Sequence, residues 1–194
     1  MYAREVAAGK LTFRFNSSLY LGNLILDDLE TGSTWSQLAG AAVRGPLQGT
    51  RLRILPSIQT SWRHWRSLHP STLVVDPHRT MRLVPPYLLQ QGKPPVDPQR
   101  LAEMGLEMAL GIRGQNGAIV YPYRELAKGS QSFEDRLGDR PITIHFVADV
   151  PTAWAQNANG KVLPGVSTTL TSWLRFYPRS QLYSASAVES RQDF

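Results

Sequence analysis

Two stretches of the chain, TSWRHWRSLHPSTLVV at residues 60–75 and TSWLRFYPRSQLY at residues 171–183, follow one plan: a tryptophan-bearing helical turn, a proline stop, and a short apolar strand. Placing Pro70 on Pro178 brings Trp65 onto Trp173 and His69 onto Tyr177. Upstream, TWSQLAG aligns with AWAQNANG, pairing Trp35 with Trp154 and Gln37 with Gln156, and KLTFRF aligns with PITIHF. Trp35 and Trp65 are 30 residues apart but Trp154 and Trp173 only 19, so the first copy carries an insertion around RGPLQGTRLRI. Two halves that each lack a complete core can close their indole faces on one another. The repeat therefore predicts two related β units at 1–84 and 106–188, which form one compact domain. A connection with a short helix at 85–105 joins them, and a tail follows at 189–194.

Local patterns fill in these units. KLTFRF alternates Leu11, Phe13 and Phe15 with polar neighbours, the period of a half-buried strand. Asp28 and Glu30-Thr31-Gly32-Ser33 supply turn formers between NLIL and STW, and Gly45-Pro46 and Gly49 punctuate the next strand pair. Ser61 caps a helix whose apolar face is Trp62, Trp65 and Leu68, and Pro70 ends it. The prolines at 77, 85, 86, 94 and 95 predict an extended connection, and Asp97, Pro98 and Gly105 bracket a short helix. Asn116-Gly117 and Asn159-Gly160 mark hairpins, and Ile142, Ile144 and Phe146 share one strand face. RELAKG supplies one or two helical turns, and Leu170, Trp173, Leu174 and Tyr177 fall at the spacing of a buried helical face. The fold class that results is α+β and β-rich, with antiparallel β units and short Trp-bearing helices packed on the sheets.

Composition removes several classes of function. With no cysteine there is no disulfide, thiolate nucleophile or Cys-ligated metal. No stretch approaches the roughly eighteen apolar residues of a membrane helix, and Met1-Tyr2-Ala3-Arg4-Glu5 does not open a signal peptide. The net charge of +6 is local, because Arg44, Arg51, Arg53, Arg63, Arg66, Arg79 and Arg82 face only Asp76 between positions 31 and 96. Without clustered Lys/Arg runs and interleaved stacking aromatics, this reads as a solvated basic face before a nucleic-acid surface.

The segment NLILDDLETGSTWSQLAGAAVRGPLQGTRL, with LPSIQTSWRHWRSLHPSTLVV after it, resembles the bacterial and archaeal family called domain of unknown function 3179. The resemblance rests on Asn23, Leu24, Asp28, Thr31, Gly32, Ser33, Trp35, Ser36, Gln37, Gly45, Leu47, Gly49, Trp62, Trp65, His69, Pro70 and Thr72. A second family unit is similar to residues 109–146, through Tyr121-Pro122, Leu126, Asp135, Gly138 and Pro141, so the likeness covers most of 9–183. The resemblance implies a further upstream unit with a Cys-Pro-x-Cys stretch, which this sequence lacks, and an extracytoplasmic location. It also implies an uncovered edge through which such a chain self-associates. It supplies architecture and no established activity.

Asp28, Thr31, Ser33 and Gln37 crowd polar groups about a turn beside Trp35, a pattern that suits either a small polar ligand stacked on the indole or a turn held by its own side chains. The family pattern adds His69. No metal set emerges, since His64 and His69 are five apart and His78 and His145 are remote in sequence. No nucleophile, base and orienting acid assemble by spacing, GIRGQNG precedes a strand rather than a helix, and no cofactor is implied. The leading expectation is a non-catalytic binding module for a small polar or glycan-like ligand or a protein partner. An enzyme or its remnant, and a basic module for anionic polymers, are the alternatives.

Overall fold

Strand pairing organises the protein into a short ribbon and three largely antiparallel sheets, described by a computed structural model for residues 1–74, 106–115 and 117–186. Several expectations lie outside those residues: the proline-rich connection with His78, the helix at 97–105, Val75, Asn116 of the hairpin turn, and the tail. The ribbon pairs β1 (Glu5–Val6) with β2 (Gly9–Lys10). Next comes a four-stranded meander, β3 (Phe13–Tyr20), β4 (Asn23–Asp28), β5 (Thr34–Ser36) and β6 (Ala41–Arg44).

The later half holds two sheets. One is β9 (Ser132–Leu137), β10 (Arg140–Val147) and β11 (Thr152–Asn157), with β10 in the middle. The other runs β12 (Gly165–Thr169), β7 (Met108–Arg113), β8 (Ala118–Pro122), β13 (Gln181–Leu182). Its β13 lies parallel to β8, and the chain passes from β12 at one edge to β13 at the other through a helix. The short helices are α1 (Trp62–Leu68), α2 (Tyr123–Leu126) and α3 (Leu170–Phe176). The protein is thus β-rich α+β.

Side-chain alternation sets the layers. On β7 and β8, Leu110, Ile112, Ile119 and Tyr121 point to one face and pack with Ile142, Ile144, Phe146, Ala153 and Ala155. Ala109 and Val120 point the other way and meet Trp173 of α3. A hairpin covered on both faces reads as an almost continuous buried run, which MALGIR and AIVYP are. Gly111 is essential to the second face, since a Cβ there would lie 2.2 Å from the Trp173 ring. Leu38 of the first half joins the same cluster and ties the halves together. In the meander, Leu11, Trp35 and Ala42 form a separate core, with the Phe13 ring edge-on to Trp35 at 5.7 Å.

The two Trp helices have nearly the same local geometry at a constant offset of 108 residues, Trp65 to Trp173. Ser61 and Thr169 cap them by accepting from His64 N and Ser172 N, both at 3.2 Å. Their C-caps, His69 (φ −133, ψ 69) and Tyr177 (φ −131, ψ 64), match closely. Each indole N–H donates seven residues on, Trp65 to Thr72 at 2.9 Å and Trp173 to Ser180 at 2.8 Å. Each indole also lies tilted against the ring of its C-cap residue, with centroids 4.1 and 4.4 Å apart.

Their burial differs. Trp173 is fully buried, whereas α1 buries no residue, with Trp62 49% and Leu68 60% exposed. The expected buried face of α1 is therefore corrected, for a physical reason: α3 rests on the small-residue face of β7 and β8, and no described residues give α1 such a seat. Phe15 is corrected likewise. It is 81% exposed, because β3 is a sheet edge whose register slips beyond that residue.

The strand register also departs from the sequence alignment. Leu163 N donates to Ala155 O in β11, and the residue 108 positions earlier, Leu55, donates to Met1 O. The bridges Tyr2 to Ile54 and Gln156 to Val162 obey the same offset. Residues 1–3, rather than TWSQLAG, thus stand where β11 stands in the later half. KLTFRF and PITIHF differ too, for β4 separates β3 from the Trp35 strand while β10 pairs directly with the Trp154 strand.

Gly111→Ala should cost about 2–3 kcal/mol and lower Tm by roughly 4–12 °C, because helix and strand must part to admit the methyl group. Trp173→Ala should cost about 3–5 kcal/mol and Trp65→Ala less than half of that. Thermal and urea unfolding measure both, and equal losses for the two tryptophans would contradict the difference in seating.

Candidate functional site

The polar residues singled out around the first turn form one buried network. Asp28 ends β4, and its N–H donates to Ser33 O while its C=O accepts from Gly32 N, closing the turn. The Asp28 carboxylate accepts Trp35 Nε1–H at 2.7 Å, the Thr31 N–H, and the Thr31 hydroxyl at 2.8 Å. A carboxylate only accepts, so the Thr31 proton points to Asp28, and the Ser33 hydroxyl, 2.7 Å away, donates to Thr31. Ser33 Oγ in turn accepts Leu47 N–H at 3.0 Å. Gly45 (φ +94) permits this approach, as a Cβ there would lie 2.8 Å from the Ser33 backbone. Burial alone would raise the Asp28 pKa, yet the hydrogen bonds from Trp35, Thr31 and Ser33 outweigh it and hold the carboxyl below its ordinary value.

Asp28, Ser33 and Trp35 are fully buried, and these side chains satisfy one another. Their arrangement fastens the β4–β5 turn and the loop after β6 to the meander core. Gln37 lies outside the network, on the wall of a separate cavity of about 220 Å³ with Tyr2, Asn23, Ser57, Gln59 and Ser167. His69 is exposed on α1 against Trp65. The structure therefore brings together four of the six expected site residues and separates Gln37 and His69 from them.

A larger cleft, about 930 Å³, opens where the two halves meet. Arg113 from the end of β7, Arg51 from the segment after β6 and Arg179 from just beyond α3 line it, with Tyr177, Phe176 and Gln115, and no Asp or Glu lines it among the described residues. Arg113 is half-buried and held in place: its Nη1 donates to Ala39 O at 3.4 Å, and its guanidinium lies 5.2 Å from the Tyr177 ring centroid. Tyr177 O–H donates to Leu38 O at 3.2 Å. Burial raises the Tyr177 pKa against the opposing pull of Arg113 and Arg51, so the phenol stays neutral at ordinary pH. The buried Tyr2 hydroxyl, whose pKa burial also raises, has no hydrogen-bond partner among the described residues.

Sequence reasoning singled out Arg51 only as one of a basic run and did not single out Arg113 or Arg179. Arg113 ends a strand and Arg179 follows a proline stop, so no linear spacing joins them. Chemically the cleft offers cations, a phenyl and phenol wall from Phe176 and Tyr177, and the amide of Gln115. Ser180 Oγ accepts from Trp173 and donates to Tyr177 O at 2.7 Å, so it is committed to holding α3.

Asp28→Asn should destabilise the fold by roughly 2–4 kcal/mol at pH 7, because the amide turns a donor toward the buried donors of Thr31 and Trp35. A depressed carboxyl pKa contributes stability above the ordinary value near 4 and loses it as pH falls through the lowered one. The gap between wild type and variant in urea unfolding should therefore shrink from pH 7 to pH 3. A gap that stays constant would show that the ionised carboxylate is not the stabilising species.

The family model described as Protein of unknown function (DUF3179) matches residues 1–163, which include the meander, α1 and the β7–β11 strands. Comparison with curated proteins and with solved structures gives no match. With 163 of its 194 residues under that model, the chain belongs to the DUF3179 family of proteins of unknown function.

Proposed function

We propose that the chain is a non-catalytic binding module that takes a small polar ligand into the cleft between its halves. The observation that carries this reading is the cleft itself: about 930 Å³, walled by Tyr177 and Phe176, with Arg113 fixed at its edge before any ligand arrives. A concave site of this size suits a small molecule better than a polymer, which a flat basic face would serve. The buried Asp28 network fastens the meander and leaves recognition to the cleft.

Protein association is a second reading, favoured by the bared face of α1, where Trp62 and Leu68 stand exposed beside Leu73 and Val74. It concerns a different surface and is compatible with the first.

Titration of the labelled protein with small polar compounds, read by NMR, should shift resonances of Gln115, Phe176 and Tyr177. Gly117→Phe should abolish those shifts without unfolding the protein, since an added Cβ at Gly117 meets no atom within 4 Å. Shifts that survive this plug would place binding elsewhere. For α1, Trp62→Ser with Leu68→Ser should reduce self-association in light scattering, and a wild-type monomer at high concentration would remove that reading.

A further inference from the structure

We propose that the ligand of the junction cleft carries an anionic group, a carboxylate or a phosphate, and that Arg113, Arg51 and Arg179 grip it. The inference rests on the cleft being the binding site and specifies what enters it. Three arginines from three separate parts of the chain line one concavity whose wall has no acidic residue among the described residues. Like charges gathered in a recess raise the local positive potential, which attracts and concentrates anions.

The existing partners of Arg113 leave its charge unpaired. It has a carbonyl, Ala39 O, at 3.4 Å and the π face of Tyr177, neither of which is an anion, and it takes part in no ion pair among the described residues. A half-buried cation held in one orientation and left without a counter-charge is costly unless a ligand supplies that charge. The planar fork of guanidinium matches the paired oxygens of carboxylate and phosphate. Tyr177 does not compete for this role, because its phenol stays neutral. A neighbouring cleft of about 720 Å³ shares Arg113 and Arg179 and adds both Arg140 and Asp139, whose opposite charges cancel. The Arg51 side gathers one more uncompensated arginine among the described residues, and is therefore where an anion sits.

Isothermal titration of the whole protein with citrate and with pyrophosphate tests this, with glucose and a neutral triamide of citrate as uncharged counterparts. The expected result is saturable binding of at least one anion, weakened tenfold or more by Arg113→Met and threefold or more by Arg179→Gln. Binding should also weaken as salt rises from 50 to 300 mM, and citrate against pyrophosphate separates carboxylate from phosphate. Arg179 is exposed, so its variant keeps the test open should Arg113→Met fold poorly. Anion binding that both arginine variants leave unchanged, or no anion binding at all, would overturn the inference. Glucose or the triamide binding in a way that Gly117→Phe blocks, with the arginine variants unaffected, would overturn the anionic ligand and leave the cleft as a polar-ligand site.

Discussion

The indole of Trp173 lies against the bare backbone of Gly111, and the rest of the later half depends on that contact. Only a residue without a side chain lets the helix approach the β7–β8 hairpin so closely. Once α3 is seated there, Pro178 ends it, Ser180 ties back to the indole, and the chain turns to lay β13 beside β8. The same seating fixes Tyr177 at the C-cap, where its ring supports Arg113 and its hydroxyl reaches Leu38 of the first half. A packing contact thereby becomes the scaffold of the cleft, with cation, aromatic wall and inter-half hydrogen bond placed by one buried side chain.

Local signals in the sequence carried far because they encode geometry that does not need tertiary support. Ser61, Thr169 and the two prolines set the helical turns, and both helices follow them, although one is buried and the other is not. Ile142, Ile144 and Phe146 lie on one buried face, as their period of two requires. Burial is another matter. The spacing of Trp62, Trp65 and Leu68 describes a face but says nothing of whether a sheet of small residues stands opposite. The failure at Phe15 is of the same kind, since alternation cannot reveal that a strand is an edge with one face bare.

Sequence alignment and hydrogen-bond register disagree about which strand matches β11, for a physical reason. TWSQLAG and AWAQNANG share residue types because each is a strand bearing a tryptophan that leads into a glycine turn, a pattern many strands meet. Register is decided by backbone pairing over a long sequence separation, here residues 1–3 with 53–55, which no local motif announces. The meander β3–β6 accordingly intervenes between two paired segments, and the polar turn at Asp28 belongs to that intervening sheet. Its crowd of hydroxyl and carboxylate groups resembled a ligand site because turn fastening and ligand binding draw on the same residue types. Burial separates the two uses: Asp28 faces inward to the Trp35 indole, and its acceptors are filled by its own neighbours.

The cleft was illegible for the opposite reason. Its arginines come from positions 51, 113 and 179, which nothing in the linear order connects, and each alone is an ordinary surface cation. They come to line one cleft because Leu38 enters the Trp173 cluster and draws the first half onto the second. Arg113 shows the consequence most clearly. Its hydrogen bond goes to Ala39, the residue after Leu38, so the contact that joins the halves also orients the guanidinium. A cation whose direction is set by the docking of two halves reports on that docking. If an anion binds at Arg113, part of its binding energy acts across the junction, and by linkage its presence should tighten the association of the halves.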